Sequence, residues 1–374
     1  TDNMQRFLQT VSDLKTKQVA ARVVFEGKYR FSRYLPLPLL QTIVQVRTPR
    51  LPTDATSRVR TWSHVAVAPS RPPDLVVDRA GPSPPPSSGE YRFSFLGETR
   101  SLKRPVDWNP TNASRLWVFH LHYFDVLREA IADAYANPER RGDAAKHATD
   151  LMTDWSAGND VGRFDAWHPY PTSRRVTNWA WIFLALPESR TPGLEASLWT
   201  QLHYIARNQE SYAGGNHLLE NLRALIVGAC AFPGADARRL RRQATVTLAQ
   251  ELETQVLPSG LHYERSPSYP LAVLELLLES IIALRLVGEQ VPAALDTTLT
   301  NMYRVADTLR LPDGTYPLWN DAAFDLAPNI DRTLAAVRAY TRPEAIEPNV
   351  QALHQVVLSM LRQRRAPKNE TMVE

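Results

Sequence analysis

The feature that most limits the possible folds is a long series of apolar segments with helical spacing, from about residue 120 onward. Apolar residues recur there every three to four positions, and Gly, Pro and Asn separate one segment from the next. This spacing predicts amphipathic helices, whereas strand signals are nearly absent apart from a short run at residues 91–95. The predicted helices cover residues 120–136, 143–157, 177–187, 195–212, 216–232, 235–257, 268–288, 292–310, 328–341 and 346–365.

Helices of similar length joined by short loops, with no heptad repeat, indicate helical hairpins stacked around one core. We therefore predict an all-α fold, in the form of an incomplete α/α toroid. We prefer a toroid to a simple bundle because the aromatic and polar clusters fall between helices, where a toroid would present them at one mouth.

The chain before this series has a different character. Apolar residues at helical spacing predict a helix from about residue 2 to 31, and a stretch rich in Pro and Ser lacks any periodicity. The predicted domains are an N-terminal arm (1–70), a Pro/Ser-rich linker (71–90), the toroid (91–342), and a C-terminal helix with a polar tail (343–374).

Composition limits the class of protein. With 374 residues, 44% of them hydrophobic, the chain can bury one large core or two ordinary ones. The net charge of +4 and the pI of about 9.2 show a mild basic excess, which fits an acidic substrate without requiring one. The basic runs stand on predicted helices among apolar residues, as solvated helix faces do, so no nucleic-acid partner is predicted.

The single cysteine, Cys230, excludes an intramolecular disulfide and a cysteine-based zinc site. It lies within an apolar run, which predicts a buried thiol without catalytic reactivity. No metal site and no cofactor are predicted. No apolar stretch is long enough to span a membrane, and residues 1–17 show no signal-peptide core.

Three segments carry candidate functional residues. The first runs from Trp167 to Trp179, and its two prolines predict an extended loop before a helix that starts at Thr177 or Asn178. Aromatic rings stack on sugars, and a guanidinium matches two oxygens of a carboxylate or sulfate. The alternative is that the aromatic rings pack beneath the loop and the arginine caps a helix. The side chains expected on the loop are Trp167, His168, Tyr170 and Arg174.

The second segment is Gly214-Gly215-Asn216-His217-Leu218-Leu219-Glu220-Asn221-Leu222-Arg223. Its glycines permit a sharp turn into a helix on which Asn216, Glu220 and Arg223 share one face. Asn216 and His217 then lie at the helix N-terminus, where backbone N–H groups and the helix dipole favour an anion. The alternative is an ordinary asparagine cap.

The third segment is Leu261-His262-Tyr263-Glu264-Arg265-Ser266-Pro267-Ser268-Tyr269-Pro270. Ser268 can cap a helix that carries Tyr269 in its first turn. A tyrosine transfers protons near neutral pH only if cations or hydrogen bonds stabilise its phenolate, and Arg265 is a candidate for that role. A Tyr–Arg packing pair is the alternative.

Together these segments resemble the heparinase II/III-like family of polysaccharide lyases and their alginate-lyase-type relatives. The resemblance spans about residues 91–325 and includes Phe95-Leu96-Gly97-Glu98, Asp107-Trp108-Asn109, Leu116-Trp117, His120-Leu121-His122-Tyr123-Phe124 and Leu318-Trp319-Asn320-Asp321. The family's N-terminal domain is an α/α toroid, so the resemblance implies the same fold class as the helix pattern.

The resemblance also implies a reaction, the cleavage of a uronate-containing acidic polysaccharide by β-elimination. Asn216 and His217 would bind the uronate carboxylate, and Tyr269 would give a proton to the glycosidic oxygen. The substrate would be an acidic polysaccharide or oligosaccharide of the heparin or heparan, alginate or bacterial exopolysaccharide type. The implied substrate-binding residues are Trp167, His168, Tyr170, Arg174, Asn178, Glu220, Arg265 and Trp319.

Full-length family members continue into a β-sandwich domain that supplies a further catalytic His or Tyr and sometimes a structural metal. No His-rich β segment follows Asp321 in this sequence, so a separate β-sandwich domain or chain is an expected partner. The family resemblance favours a periplasmic or secreted location.

Two other functions stay open at this point. The chain could be a non-catalytic polysaccharide-binding protein or a partner-dependent subunit, since the β-sandwich domain is not visible. It could also be an α/α-toroid glycoside hydrolase that uses paired carboxylates such as Glu220, Glu264 or Asp321.

Overall fold

The computed structural model describes residues 27, 31, 34–44, 51, 89–211, 215–263, 268–312, 315–317 and 330–341. The predicted helix at 346–365 and the polar tail lie outside the described residues. So does the predicted helix at 2–31, apart from residues 27 and 31, and so does the Pro/Ser-rich linker, apart from residues 89 and 90.

The described chain is mostly helical, which confirms the predicted all-α class. The helices are α1 (Leu37–Ile43), α2 (Arg115–Tyr123), α3 (Val126–Ala136), α4 (Arg141–Gly158), α5 (Pro169–Ala185), α6 (Pro192–Arg207), α7 (Gly215–Cys230), α8 (Gly234–Gln255), α9 (Ser268–Leu286), α10 (Ala293–Leu309) and α11 (Ile330–Thr341). Short 3₁₀ turns lie at Pro138–Arg140, Asp165–Trp167 and Pro187–Ser189.

The helices from α3 to α11 pack in two layers. The odd-numbered helices contact one another in succession, α3 with α5, α5 with α7, α7 with α9 and α9 with α11. The even-numbered helices lie against this inner layer, and α4 contacts α6 as α8 contacts α10. This alternation agrees with the predicted stack of helical hairpins. Closure of the layers into a toroid stays a prediction.

The inner helices α5, α7 and α9 are buried on nearly every side, as expected for helices covered by both neighbours and an outer layer. In α5 every residue from Thr172 to Ala185 is buried. The contact of α7 with α5 and α6 depends on Gly228, because a Cβ there would lie 2.6 Å from Leu202 and 2.7 Å from Val176. The inner layer is therefore packed too closely for a side chain at that position.

The predicted helix at 120–136 is wrong as a single element, because the chain breaks into α2 and α3 at Phe124. Phe124 adopts a left-handed conformation with φ of 61°, which is costly for a residue with a Cβ. Its buried ring stacks on Trp108 at 5.4 Å and meets Trp179 edge-on at 5.4 Å. Burial of the ring offsets the backbone strain. No local sequence pattern predicts the break at Phe124.

The strand-like run at 91–95 is confirmed as β1 (Glu90–Phe95), but its antiparallel partner β2 (Glu98–Lys103) was not predicted. Leu96 and Gly97 connect the two strands and both have positive φ, as a two-residue hairpin turn of type I′ requires. Tyr91 and Phe93 of β1 are buried, so the hairpin covers one side of the helical core.

Helix α1 lies within the predicted N-terminal arm and packs on the helical layers. Leu40 and Val44 are buried. Asn208 donates a hydrogen bond to the carbonyl of Val44 at 3.1 Å, and Arg163 donates one to the carbonyl of Leu35 at 3.2 Å. The part of the arm that the structure describes therefore contacts the region predicted as the toroid.

Candidate active site

The first candidate segment is a helix and not a loop. Helix α5 begins at Pro169, with His168 as its N-cap and the backbone N–H of Tyr170 3.4 Å from His168 Nδ1. The prediction that a helix starts at Thr177 or Asn178 is wrong. Prolines fit the first turn of a helix, where an N–H has no intrahelical partner, so the two prolines begin the helix instead of delaying it.

Trp167 was predicted to be displayed to a sugar, and this prediction is wrong. Its side chain is only 3% exposed. The ring packs against Trp155 and Tyr204, with centroid distances of 5.9 and 5.1 Å, and its indole donates to the carbonyl of Asn159 at 3.4 Å. Trp167 belongs to the aromatic core beneath the start of α5.

The adjacent Arg175 also points inward. Its guanidinium lies 3.7 Å from the centre of the Trp155 ring and donates to Gln201 Oε1 at 2.8 Å. Burial holds the pKa of Arg175 well below its usual value. This side chain is part of the core and does not face a substrate.

The inner helices α5 and α7 begin at the same end of their layer. Tyr170, in the first turn of α5, lies 4.6 Å from the ring of His217 in the first turn of α7. One turn deeper, Arg174 of α5 bonds Glu220 of α7 at 3.3 Å. The contacts follow the same order along both helices, so the helices run parallel.

Helix α9 has the same direction. Trp181 and Arg223, which lie deep in α5 and α7, both donate to Glu279. Glu275, one turn nearer the start of α9, interacts electrostatically with Arg174, which is nearer the start of α5. The first turns of α5, α7 and α9 therefore lie at one end of the inner layer, and Tyr269 joins Tyr170, Asn216 and His217 there.

Asn216 and His217 occupy the predicted position at the N-terminus of a helix, since α7 begins at Gly215 with φ of 55°. Asn216 is partly exposed, and its Oδ1 has no hydrogen-bond partner among the described residues. The His217 side chain is 49% exposed, and its Nδ1 lies 2.9 Å from Oε1 of Glu210. The Asn216 Oδ1 atom itself is buried, so the half-exposed His217 ring and the remainder of the partly exposed Asn216 side chain are the groups open to a ligand.

Tyr269 lies in the first turn of α9, as predicted. It is partly exposed, and its ring centroid lies 5.5 Å from that of the buried His262. Burial lowers the pKa of His262 to about 4, so this neighbour is uncharged near neutral pH. Arg265, the predicted stabiliser of the phenolate, and the candidate Trp319 lie outside the described residues.

The candidates Arg174, Asn178 and Glu220 are buried, with 4%, 1% and 6% of their surface exposed. Arg174 bonds Asp125 at 3.1 Å and Glu220 at 3.3 Å. Asn178 donates to the carbonyl of Tyr123 at 2.7 Å and to Asp125 at 2.9 Å. These three side chains are engaged by the protein itself, so the structure does not support the prediction that they bind the sugar directly.

Below this level lies a second set of charges, of which the sequence analysis named only Arg223. Arg128 bonds Glu279 at 2.6 Å and Glu275 at 3.2 Å, and Arg223 bonds Glu279 at 3.1 Å and also Glu220. The signal was present, because Glu275 and Glu279 are spaced by four on an otherwise apolar helix and must share one face. We call the charged groups of both levels, together with Asn178, the buried ion network. Its members are Asp125, Arg128, Arg174, Asn178, Glu220, Arg223, Glu275 and Glu279.

Opposite charges keep this network ionised despite its burial. Desolvation works against the charged form of Asp125, but Arg174, Arg128 and the hydrogen bond from Asn178 outweigh it and lower its pKa. Burial likewise opposes the charge of Arg174, but Asp125 and Glu220 raise its pKa well above the usual value. Glu275 differs, because desolvation dominates and raises its pKa. The network joins α3, α5, α7 and α9 beneath the exposed helix ends.

The two remaining candidates border the exposed end. His168 is buried against Phe119 at 5.3 Å, and burial lowers its pKa. Tyr170 is partly exposed and packs edge-on against Tyr123 at 5.9 Å. Burial of its hydroxyl and the charge of Glu220 raise the pKa of Tyr170, so it stays a neutral phenol beside His217.

Other kinds of site were sought in the described part of the chain. No group of three or more His, Cys, Asp or Glu side chains there is arranged to hold a metal ion. None of the described helices is long and apolar enough to cross a membrane. A cavity of about 250 Å³ lies elsewhere, between α10 and α11. Its lining holds none of the candidate residues, several of which lie at the first turns of the inner helices instead.

Comparison with known proteins shows the family through a family model, and one curated relative and several solved structures are similar to the chain. Residues 95–345 match the family described as Heparinase II/III N-terminus. A heparin-sulfate lyase from Pedobacter heparinus is 25% identical over 182 residues, which are 46% of this chain and 28% of that protein.

Solved structures share the fold. The heparan sulfate lyase HepC from Pedobacter heparinus aligns with a TM-score of 0.51 and 19% identity, over 75% of this chain and 45% of that one. A heparinase III with methylated lysines aligns with a TM-score of 0.53 and 18% identity, over 75% and 47%. This chain spans less than half the length of each of these relatives. The family match covers most of the chain, so the protein belongs to the heparinase II/III family and carries that family's N-terminal domain.

Proposed function

We propose that this chain is the helical part of a lyase that cleaves a uronate-containing acidic polysaccharide by β-elimination. The observation that supports it most is the gathering of Asn216, His217 and Tyr269 in the first turns of parallel inner helices. These groups are partly or half exposed, while the ion pairs one turn deeper are buried apart from part of Asp125. The heparin and heparan sulfate lyases among its relatives fit this reaction and substrate class.

The reaction requires a very weakly acidic C5–H bond to break. A base takes the C5 proton, a C4–C5 double bond forms, and the C4–O bond breaks with the glycosidic oxygen taking up a proton. Asn216 and His217 would bind the neighbouring carboxylate and stabilise the charge that develops on it. The first turn of α7 adds N–H groups and a dipole that favour the same anion.

Tyr269 would supply the proton to the leaving oxygen, and on some substrates it would also remove the C5 proton. On other substrates the base would come from the β-sandwich domain that the family resemblance implies. Because the chain spans less than half of its relatives, we expect full turnover when such a domain is supplied.

The glycoside hydrolase alternative is less well supported. Both oxygens of Glu220 are bonded to guanidinium groups, those of Arg174 and Arg223, so this carboxyl is not placed to act as an acid or base. Glu264 and Asp321 lie outside the described residues. The proposed substrate is of the heparin-like, alginate-like or bacterial exopolysaccharide class.

The test is the ultraviolet absorbance of the product, since elimination leaves an unsaturated uronate and hydrolysis does not. The chain, alone and with a family β-sandwich domain, is incubated with heparan, alginate and exopolysaccharide oligosaccharides. We expect absorbance to rise with one substrate class, and Asn216→Ala to lower turnover by at least about 10²-fold with little change in affinity. Cleavage without absorbance would identify a hydrolase, and binding without cleavage a binding protein.

A further inference from the structure

We propose that Glu210 is a positioning residue that holds His217 as an imidazolium, with the Nδ1 proton directed at the Glu210 carboxylate. The inference rests on the proposed function for its purpose, which is to give the site a cation for the uronate carboxylate. Its structural basis is the 2.9 Å distance between His217 Nδ1 and Glu210 Oε1.

Glu210 is built into the fold although it lies in the segment between α6 and α7. Its side chain is 1% exposed. Its backbone N–H donates to Asn221 Oδ1 at 2.8 Å, and Asn221 in turn donates to Ser173 of α5 at 2.9 Å. Two inner helices therefore fix the carboxylate beneath the half-exposed His217 ring.

The chemistry of the pair sets the direction of the hydrogen bond. In the proposed pair Glu210 is ionised, and an ionised carboxylate only accepts hydrogen bonds, so Nδ1 of His217 donates to it. In a neutral ring this leaves Nε2 without a proton, and such a ring cannot donate to a sugar carboxylate. The imidazolium has a proton on both nitrogens, so it can serve both carboxylates at once.

The position of His217 makes a buried carboxylate necessary for that cation. The first turn of a helix carries partial positive charge, which opposes a cation. A charge-assisted hydrogen bond to a buried carboxylate favours the cation and acts against this effect. Oε2 of Glu210 has no hydrogen-bond partner among the described residues, so the bond to His217 is the main described compensation for this buried charge.

Among the residues that the structure describes, the groups around the pair do not supply a competing carboxylate for His217. His168, the N-cap of α5, interacts electrostatically with both Glu210 and His217. Burial lowers its pKa and keeps it neutral near pH 7. Tyr170 of α5 is a neutral phenol, since burial raises its pKa. On α7 itself, Glu220 is already bonded to Arg174 and Arg223. Glu210 is thus the carboxylate placed to offset a charge on His217.

The experiment reads the protonation of the His217 ring directly by ¹⁵N NMR near pH 7, on protein labelled at histidine and without substrate. His217→Gln assigns the signals. We expect both ring nitrogens of His217 to be protonated in the parent and the ring to become neutral in Glu210→Gln. Glu195→Gln, which alters a partly exposed carboxyl paired with Arg190, is the matched control and should leave the signals unchanged.

A neutral His217 ring in the parent would overturn the proposal, and so would an imidazolium that persists in Glu210→Gln. If that variant fails to fold, the parent spectrum still decides. The measurement needs no turnover, so a chain without lyase activity could still show the pair, and an active lyase could lack it.

In the active protein we expect Glu210→Gln to lower kcat by about 10- to 100-fold, the loss of one charged hydrogen bond, with KM within about 3-fold. In the His217→Gln background the same change should have almost no further effect, since the partner is gone. A purely structural Glu210 predicts the opposite, a lowered melting temperature and additive effects in the two backgrounds.

Discussion

The exposed first turns of α7 and α9 and the buried ion network below them are neighbours along the inner helices but have different physical characters. Asn216 and His217 are partly or half exposed, whereas Glu220 and Arg223, one and two turns deeper on α7, are buried among opposite charges. The helical repeat brings these residues to one face at different depths. A sequence motif interpreted as a single binding site can therefore contain exposed groups that carry out chemistry and buried groups that support them.

The exposed helix ends and the buried ion network should also respond differently to substitution. A half-exposed polar group contributes little to folding, so its loss should change turnover alone. A charged group in the network is already desolvated, so removal of its partner leaves a buried charge without compensation. Substitutions at the exposed helix ends should thus change the rate of turnover, and those in the buried ion network should change stability.

The largest effect is expected for Tyr269→Phe, which removes only the hydroxyl. If the phenol transfers a proton, turnover should fall by about 10²–10⁴-fold, while the free energy of unfolding falls by at most about 1–2 kcal/mol. Initial rates from ultraviolet absorbance and a thermal melt measure both. Tyr263→Phe, an exposed neighbour in sequence, is the control. Unimpaired product formation by Tyr269→Phe would show that the ring only packs.

Arg174→Ala tests the buried layer. We expect a loss of about 3–5 kcal/mol in the free energy of unfolding, because Asp125 and Glu220 would keep their charges without this partner. Urea denaturation measures it. The control is Arg239→Ala, which breaks an exposed pair with Asp236 and should cost less than about 1 kcal/mol. Equal losses in the two variants would remove the distinction between the layers.

The smallest effect concerns His262, which lies under Tyr269 at the boundary between the layers. Its pKa is about 4 in the folded chain against an ordinary 6.5, so between these values the unfolded chain binds the proton and the folded chain does not. Stability should therefore fall as the pH drops from 6.5 to 4, by up to roughly 3 kcal/mol. His262→Phe should flatten this part of the stability profile. An unchanged slope would mean that His262 is charged in the folded protein.

Local signals were enough to predict part of this architecture. Helical spacing gave most helices to within a few residues, and the Gly-Gly and Ser-Pro-Ser signals located the starts of α7 and α9. These signals are local because helix propagation and capping depend on neighbouring residues. The positions of Asn216, His217 and Tyr269 in first turns followed from them.

What failed depends on contacts between distant parts of the chain. Trp167 is buried because Trp155 and Tyr204 cover it, and the break at Phe124 is tolerated because Trp108 and Trp179 hold its ring. Arg174 was taken for a surface group because its partners, Asp125 and Glu220, lie in other helices. A single sequence shows which residues can carry charge, and the packing decides which of them face water.

We expect substrate to bind at the helix ends and not at the buried ion network. Titration of the protein with a uronate oligosaccharide tests this while two sets of NMR signals are followed. One set is the His217 ring, and the other is the indole N–H of Trp181, which donates to Glu279 within the network. We expect the His217 signals to shift with saturation while the Trp181 signal stays in place. A saturable shift of Trp181 with His217 unchanged would contradict it.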